Sequence, residues 1–151
     1  MKVSKLLRLH GMLVFTVHPD FTLAQTARRF AQPTGGRKFS VAVVSDADDK
    51  VIGVISLGDI SYALATHEEK AAGMLVRDVM TKNVLSCSLD DDIEDVLRIM
   101  ADKGIRHMPV IEKGRLAGLL SRRDALEFLY QQTALDVESL SEWLFHTEAR
   151  Y

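Results

Sequence analysis

Two rhythms of apolar residues run along this chain, and their order is itself repeated. Ile93, Val96, Leu97 and Met100 recur at i, i+3, i+4 and i+7, one face of a helix. Asp91, with Glu94 three residues on, predicts the capped start of that helix, and Gly104 its stop. Before it, the apolar run from Val84 to Cys87 predicts a short strand. After it, Met108 to Ile111 and Leu116 to Leu120 form two apolar runs joined by Glu112-Lys113-Gly114-Arg115, a hairpin with glycine in its turn. A second helix is expected from about Arg122 to Gln132, with Ala125, Leu126, Phe128 and Leu129 on its inner face.

The first half follows the same plan. Leu23, Ala27 and Phe30 mark a helix face, and Val41 to Val44 and Val51 to Ile55 a hairpin closed by an acidic loop. Ile60, Ala63 and Leu64 mark the last helix. The strands are apolar without alternation, which predicts cover on both faces by helices. Gly53-Val54-Ile55-Ser56-Leu57-Gly58-Asp59 recurs as Gly118-Leu119-Leu120-Ser121-Arg122-Arg123-Asp124, and Val3-Ser4-Lys5-Leu6-Leu7 echoes Val76-Arg77-Asp78-Val79-Met80. The chain therefore reads as an α/β protein of two β-α-β-β-α repeats related by a pseudo-two-fold axis. Residues 1–67 make the first repeat, 68–75 a linker and 76–132 the second. Residues 133–151 read as a C-terminal amphipathic helix with Val137, Leu140, Trp143 and Leu144 on one side. That helix is either a lid on the protein's own core or a homodimer contact.

Composition narrows the function. With 151 residues and 47% hydrophobic content the chain has ample material for a core. A net charge of −2 gives no basic field, so nucleic acid is not an expected partner. The single cysteine, Cys87, fits a reducing compartment, and no apolar run approaches the ~20 residues of a membrane helix. The basic start before Gly11-Met12-Leu13-Val14-Phe15 lacks a small-residue cleavage pattern, so it is not read as a signal peptide. A cytoplasmic setting without membrane insertion is the expectation.

The candidate chemistry sits where strands hand over to helices. Ser56/Asp59 and Ser121/Asp124 each form Ser-x-x-Asp at such a junction. Two readings stay open. The pair is a capping box, or the hydroxyl and carboxylate, one turn apart, bind a ribose diol beside phosphate-receiving N–H groups. Arg106 and His107, ahead of Met108-Pro109-Val110, stand at a strand entrance within reach of a phosphate, and Arg122 and Arg123 add charge beside Asp124. Pro33-Thr34-Gly35-Gly36-Arg37-Lys38 lacks phosphate-loop spacing and reads as a flexible loop. Five scattered histidines and one cysteine give no metal spacing, and no nucleophile-plus-base arrangement is present, so catalysis is not expected.

With both G-h-h-S-x-x-D motifs, Arg106-His107-Met108-Pro109-Val110 and the Val76-to-Met80 lead-in in hand, the chain resembles tandem CBS-domain proteins (cystathionine β-synthase domain pairs, or Bateman modules), over about residues 1 to 132. It is most similar to small stand-alone bacterial ones. The resemblance implies two clefts between the repeats that take AMP, ADP, ATP, NAD or S-adenosylmethionine, with no catalytic cofactor. It implies a regulatory role exerted on an effector protein, and association into homodimers. By position it implies that Asp124 binds ribose hydroxyls, Ser121 the ribose or phosphate, and Arg106 and His107 phosphate. Thr81, Val84 and Met108 would line the adenine slot, and Pro109 and Arg122 count among the ligand-binding residues. In the first repeat the equivalents are Ser56 and Asp59, with Val14, Thr16 and Val41. Ala42 is expected where Pro109 stands, which predicts unequal sites, the second the better phosphate binder. The alternative is a ligand-independent dimerisation scaffold in which the Ser-x-x-Asp motifs only cap helices.

Overall fold

A computed structural model describes residues 1–10 and 14–148, the side chains of 138–148 excepted. In chain order the elements are α1 (Val3–His10), β1 (Thr16–Val17), α2 (Leu23–Ala31), β2 (Val41–Ser45), β3 (Val51–Ser56) and α3 (Leu57–His67). A 3-10 helix (Glu68–Gly73) leads to α4 (Val76–Val79), α5 (Ile93–Asp102), β4 (His107–Glu112), β5 (Arg115–Ser121) and α6 (Arg122–Glu148). The fold is α/β, with two small sheets each covered by helices. One sheet has the order β1-β2-β3, with β1 parallel to β2 and β2 antiparallel to β3; the other is the antiparallel pair β4-β5.

Each half has its own apolar core, and the two cores exchange their lead-in segments. Val3, Leu6 and Leu7 of α1 are buried with Ile93, Met108 and Phe128 of the second half. Val76 of α4 is buried with Leu23, Ile55 and Ile60 of the first. Backbone bonds seat the two exchanges alike. Val3 and Ser4 donate to the carbonyls of Asp91 and Leu89 at 3.0 and 2.9 Å, while Val76 and Arg77 donate to Phe21 and Pro19 at 2.8 and 3.0 Å. An Arg77–Asp20 ion pair adds to the second seat. The stretch 68–75, expected to be a connector, is thus part of the first core, where Ala71 is wholly buried.

The repeated glycines have a packing reason. A Cβ on Gly118 would lie 2.9 Å from Leu7 Cδ1, and one on Gly53 would lie 2.5 Å from Met80 Sδ and 3.0 Å from the Thr81 carbonyl. Leu7 and Met80 occupy matching places in the two lead-ins, so each hairpin is bare where the other repeat's segment crosses it.

Several expected details change. Asp92, not Asp91, caps α5, its carboxylate accepting from Glu94 N–H at 3.1 Å, while Asp91 accepts from Ser88 N–H at 2.8 Å. The expected strand from Val84 to Cys87 contracts to one parallel bridge, Cys87 to Val110. The cause is Pro109. His107 lies across from Ser121 as Val41 lies across from Ser56, so Val43, not Ala42, stands where Pro109 does. Val43 N–H donates to the Phe15 carbonyl at 2.9 Å; Pro109 has no N–H to offer at the matching place. Finally, α6 runs unbroken from Arg122 to Glu148, so residues 133–148 continue it rather than form a separate helix. Val137 is 61% exposed rather than folded back on the core, and the side chains of Leu140, Trp143 and Leu144 lie outside the described residues. Among the described residues no helix is long and apolar enough to cross a membrane.

Candidate functional site

Both Ser-x-x-Asp motifs stand where an antiparallel strand ends and a helix begins, but their hydrogen bonds differ. At α3 the capping box is complete: Ser56 Oγ accepts from Asp59 N–H at 3.1 Å, and the Asp59 carboxylate accepts from Ser56 N–H at 2.8 Å. At α6 only the hydroxyl half forms, with Asp124 N–H 3.4 Å from Ser121 Oγ. Among the described residues no donor meets the Asp124 carboxylate, which is exposed while Asp59 is half-buried.

Each motif borders a cavity between the halves. The larger, about 570 Å³, is lined by Ser56, Leu57 and Asp59. Thr81, Val84, Ile105, Arg106 and His107 of the second half line it too. The smaller, about 200 Å³, is lined by Ser121 and Asp124 together with Arg37, Lys38 and His10.

The pairing of residues is therefore crossed relative to the sequence expectation. Thr81, Val84 and Arg106, expected beside Asp124, lie with Asp59 instead. Thr81 is held there by paired backbone bonds to Val54, 2.9 and 3.1 Å long, because the lead-in of the second repeat crosses onto the first hairpin. His107 and Val41 line both cavities. Met108 and Pro109 are buried within β4, and Met108 belongs to the second core. Val14 and Thr16 line neither cavity; the Thr16 side chain points outward from β1. Arg122 lines neither as well, its N–H donating to the Arg106 carbonyl at 2.9 Å.

Arg37, Lys38 and His10 were not expected in the site. The segment read as a flexible loop is a closed turn: Thr34 and Arg37 exchange backbone bonds of 2.9 and 3.1 Å across Gly35 and Gly36, whose φ angles are 59° and 76°. Adjacent glycines supply the two positive φ values of a tight hairpin turn, the signal in the sequence that would have placed these cations.

His107 is the polar residue shared by both cavities with a titratable ring. Its burial pushes the imidazole pKa below the ordinary value, Asp124 pulls it back up and Arg106 pushes it down again. Among the described residues no group of three or more His, Cys, Asp or Glu could hold a metal ion. The site offers hydroxyl, carboxylate and guanidinium groups around apolar walls, a set suited to holding a sugar phosphate.

A model of the CBS domain matches residues 14–66 and again residues 76–131. The chain belongs to the CBS-domain family. Its two CBS repeats align with an uncharacterized 17.7 kDa protein of Acidianus ambivalens, 30% identical over 138 residues, covering 91% of this chain and 77% of that one. Two further curated relatives are longer: the alignments span 36% of protein MJ1232 of Methanocaldococcus jannaschii and 57% of protein MK0525 of Methanopyrus kandleri. Among solved structures, the CBS-domain containing protein ATU1752 of Agrobacterium tumefaciens is similar at a TM-score of 0.75. It is 33% identical, with 83% of this chain and 91% of that one covered. The CBS domain pair of protein MJ0100, solved in complex with 5′-methylthioadenosine and S-adenosyl-L-methionine, has a TM-score of 0.74. It is 20% identical, covering 87% of this chain and 98% of that one, a likeness of fold alone.

Proposed function

We propose that this CBS pair is a non-catalytic regulatory module that binds an adenosine-containing ligand between its repeats. AMP, ADP, ATP, NAD and S-adenosylmethionine share the adenosine half and form the candidate set. Occupancy would shift the relative orientation of the repeats, or of two chains in a homodimer, and an effector protein would read that shift. A cytoplasmic setting belongs to the same reading. The observation that carries it is the 570 Å³ cavity that Ser56 and Asp59 line together with Arg106 and His107, among apolar walls. A ribose fits the carboxylate, a base the apolar side, and a phosphate the guanidinium. The complex of MJ0100 with two adenosine compounds lends the fold a precedent for such a ligand.

One observation favours the rival, in which the motifs only cap helices: the Ser56–Asp59 box already satisfies both partners. A thermal-shift panel over the five ligands decides between them. A ligand at ~100 times its dissociation constant adds about 2.7 kcal/mol, a rise of roughly 5–10 °C at this chain length. Asp59→Asn keeps a cap acceptor but loses the charge. The ligand reading expects that variant to melt near wild type without ligand and to lose the shift. If no ligand moves wild type, the scaffold reading stands.

A further inference from the structure

The two cavities are not copies of each other. The one at Asp59, about 570 Å³, falls within the ~300–1,000 Å³ of ordinary ligand pockets, while the one at Asp124, about 200 Å³, falls below that range. A whole nucleoside suits the first and not the second. Their charges differ too. The small cavity gathers two permanent cations, Arg37 and Lys38, with His10 and His107, against the single carboxylate of Asp124. Arg37 leans toward the end of α1, its guanidinium 3.5 Å from the His10 carbonyl. The His10 ring stands edge-on to Phe128 of α6, with 6.5 Å between ring centroids. Ser40, Val41 and His107 line both cavities, so the two spaces meet at these residues.

The geometry points to the small cavity as a phosphate subsite, filled by the tail of a nucleoside di- or triphosphate whose adenosine occupies the Asp59 cavity, so that each chain takes one nucleotide rather than two. This rests on the adenosine reading above. A monophosphate ends at Arg106, on the Asp59 side. A longer tail passes His107 and reaches Arg37 and Lys38, whose combined charge exceeds that of Asp124. S-adenosylmethionine carries no phosphate and gains nothing there. Free inorganic phosphate is the other source of the same chemistry.

Calorimetric titration of the full chain with AMP, ADP, ATP and S-adenosylmethionine tests this, with Arg37→Gln/Lys38→Gln as the variant and circular dichroism to show that it folds. Wild type is expected to bind one nucleotide per chain, with ATP about tenfold tighter than AMP, the size of one added charge-assisted contact. The double variant loses that preference while its affinity for AMP stays within about twofold. Two nucleotides per wild-type chain, or an ATP preference that survives the double variant, overturns the proposal. If no nucleotide binds at all, the adenosine reading fails by itself, and inorganic phosphate decides the subsite. His107 faces Asp124, Arg106, His10, Arg37 and Lys38, so an arriving anion raises its imidazole midpoint in NMR titration. A rise in wild type that is lost in the double variant upholds the subsite with free phosphate as its source. No rise in wild type overturns it.

Discussion

His107 shows how a single side chain takes its chemistry from its neighbours. In the unfolded chain its imidazole titrates near the ordinary histidine value; in the fold, burial and Arg106 hold it lower while Asp124 opposes them. The folded state therefore resists the proton that the unfolded state accepts. His107 leaves stability intact above the ordinary value of 6.5, and stability is lost as pH falls from there through the lowered folded value. His107→Gln is expected to flatten the loss of melting temperature between about pH 7.5 and 5.5, relative to wild type. Asp124→Asn is expected to lower the His107 midpoint further in NMR titration, since it removes the carboxylate that raises it. Cys87 is the opposite case, a residue made inert by its surroundings. Burial pushes its thiol up to about 12, so little thiolate exists at neutral pH. Native protein at pH 8 is expected to resist iodoacetamide, with one alkylation by mass spectrometry only after denaturation.

At the scale of elements, the repeated glycines decide how closely a lead-in can approach a hairpin. Gly118→Ala places a methyl group 2.9 Å from Leu7 Cδ1, an overpacking cost of about 1–3 kcal/mol. At roughly 2–4 °C per kcal/mol it is visible in a melting curve. Leu7→Ala alone costs about 2–5 kcal/mol. In the double variant the clash is gone, so its loss should fall short of the sum of the two single losses by about 1 kcal/mol or more. Strict additivity would place the glycine's role elsewhere. Pro109 acts on an element by omission, its missing N–H shortening the parallel pairing of the second half to Cys87 alone.

For the whole molecule, the governing feature is the exchange of lead-ins between halves. Cutting at the repeat boundary strands each core without a piece of its apolar surface: the first loses Ala71 and Val76, the second Val3, Leu6 and Leu7. A fragment of residues 14–67 is expected to be largely unfolded by circular dichroism. Extension to residue 80 should restore helical signal and a cooperative melt, because it returns the segment that seats on Phe21 and Pro19. Equal melts for both fragments would mean the exchange contributes little.

Most of the elements could be read directly from the chain. The helix face of Ile93, Val96, Leu97 and Met100, the two hairpins and the duplication all follow from local periodicity, which the backbone imposes wherever one side must be buried. Ser56, Asp59, Ser121 and Asp124 were likewise recognisable, because a strand-to-helix junction selects capping residues. Which side chains share a cavity was not. Thr81 lies with Asp59 because its segment crosses to the other hairpin, and Arg37 and Lys38 meet Asp124 because a glycine turn and the exchanged α1 bring them there. Sequence spacing carries the repeat of a local pattern; it carries no record of which copy a segment packs against. That choice is made by long-range burial, through contacts such as Leu7 on Gly118 and Met80 on Gly53.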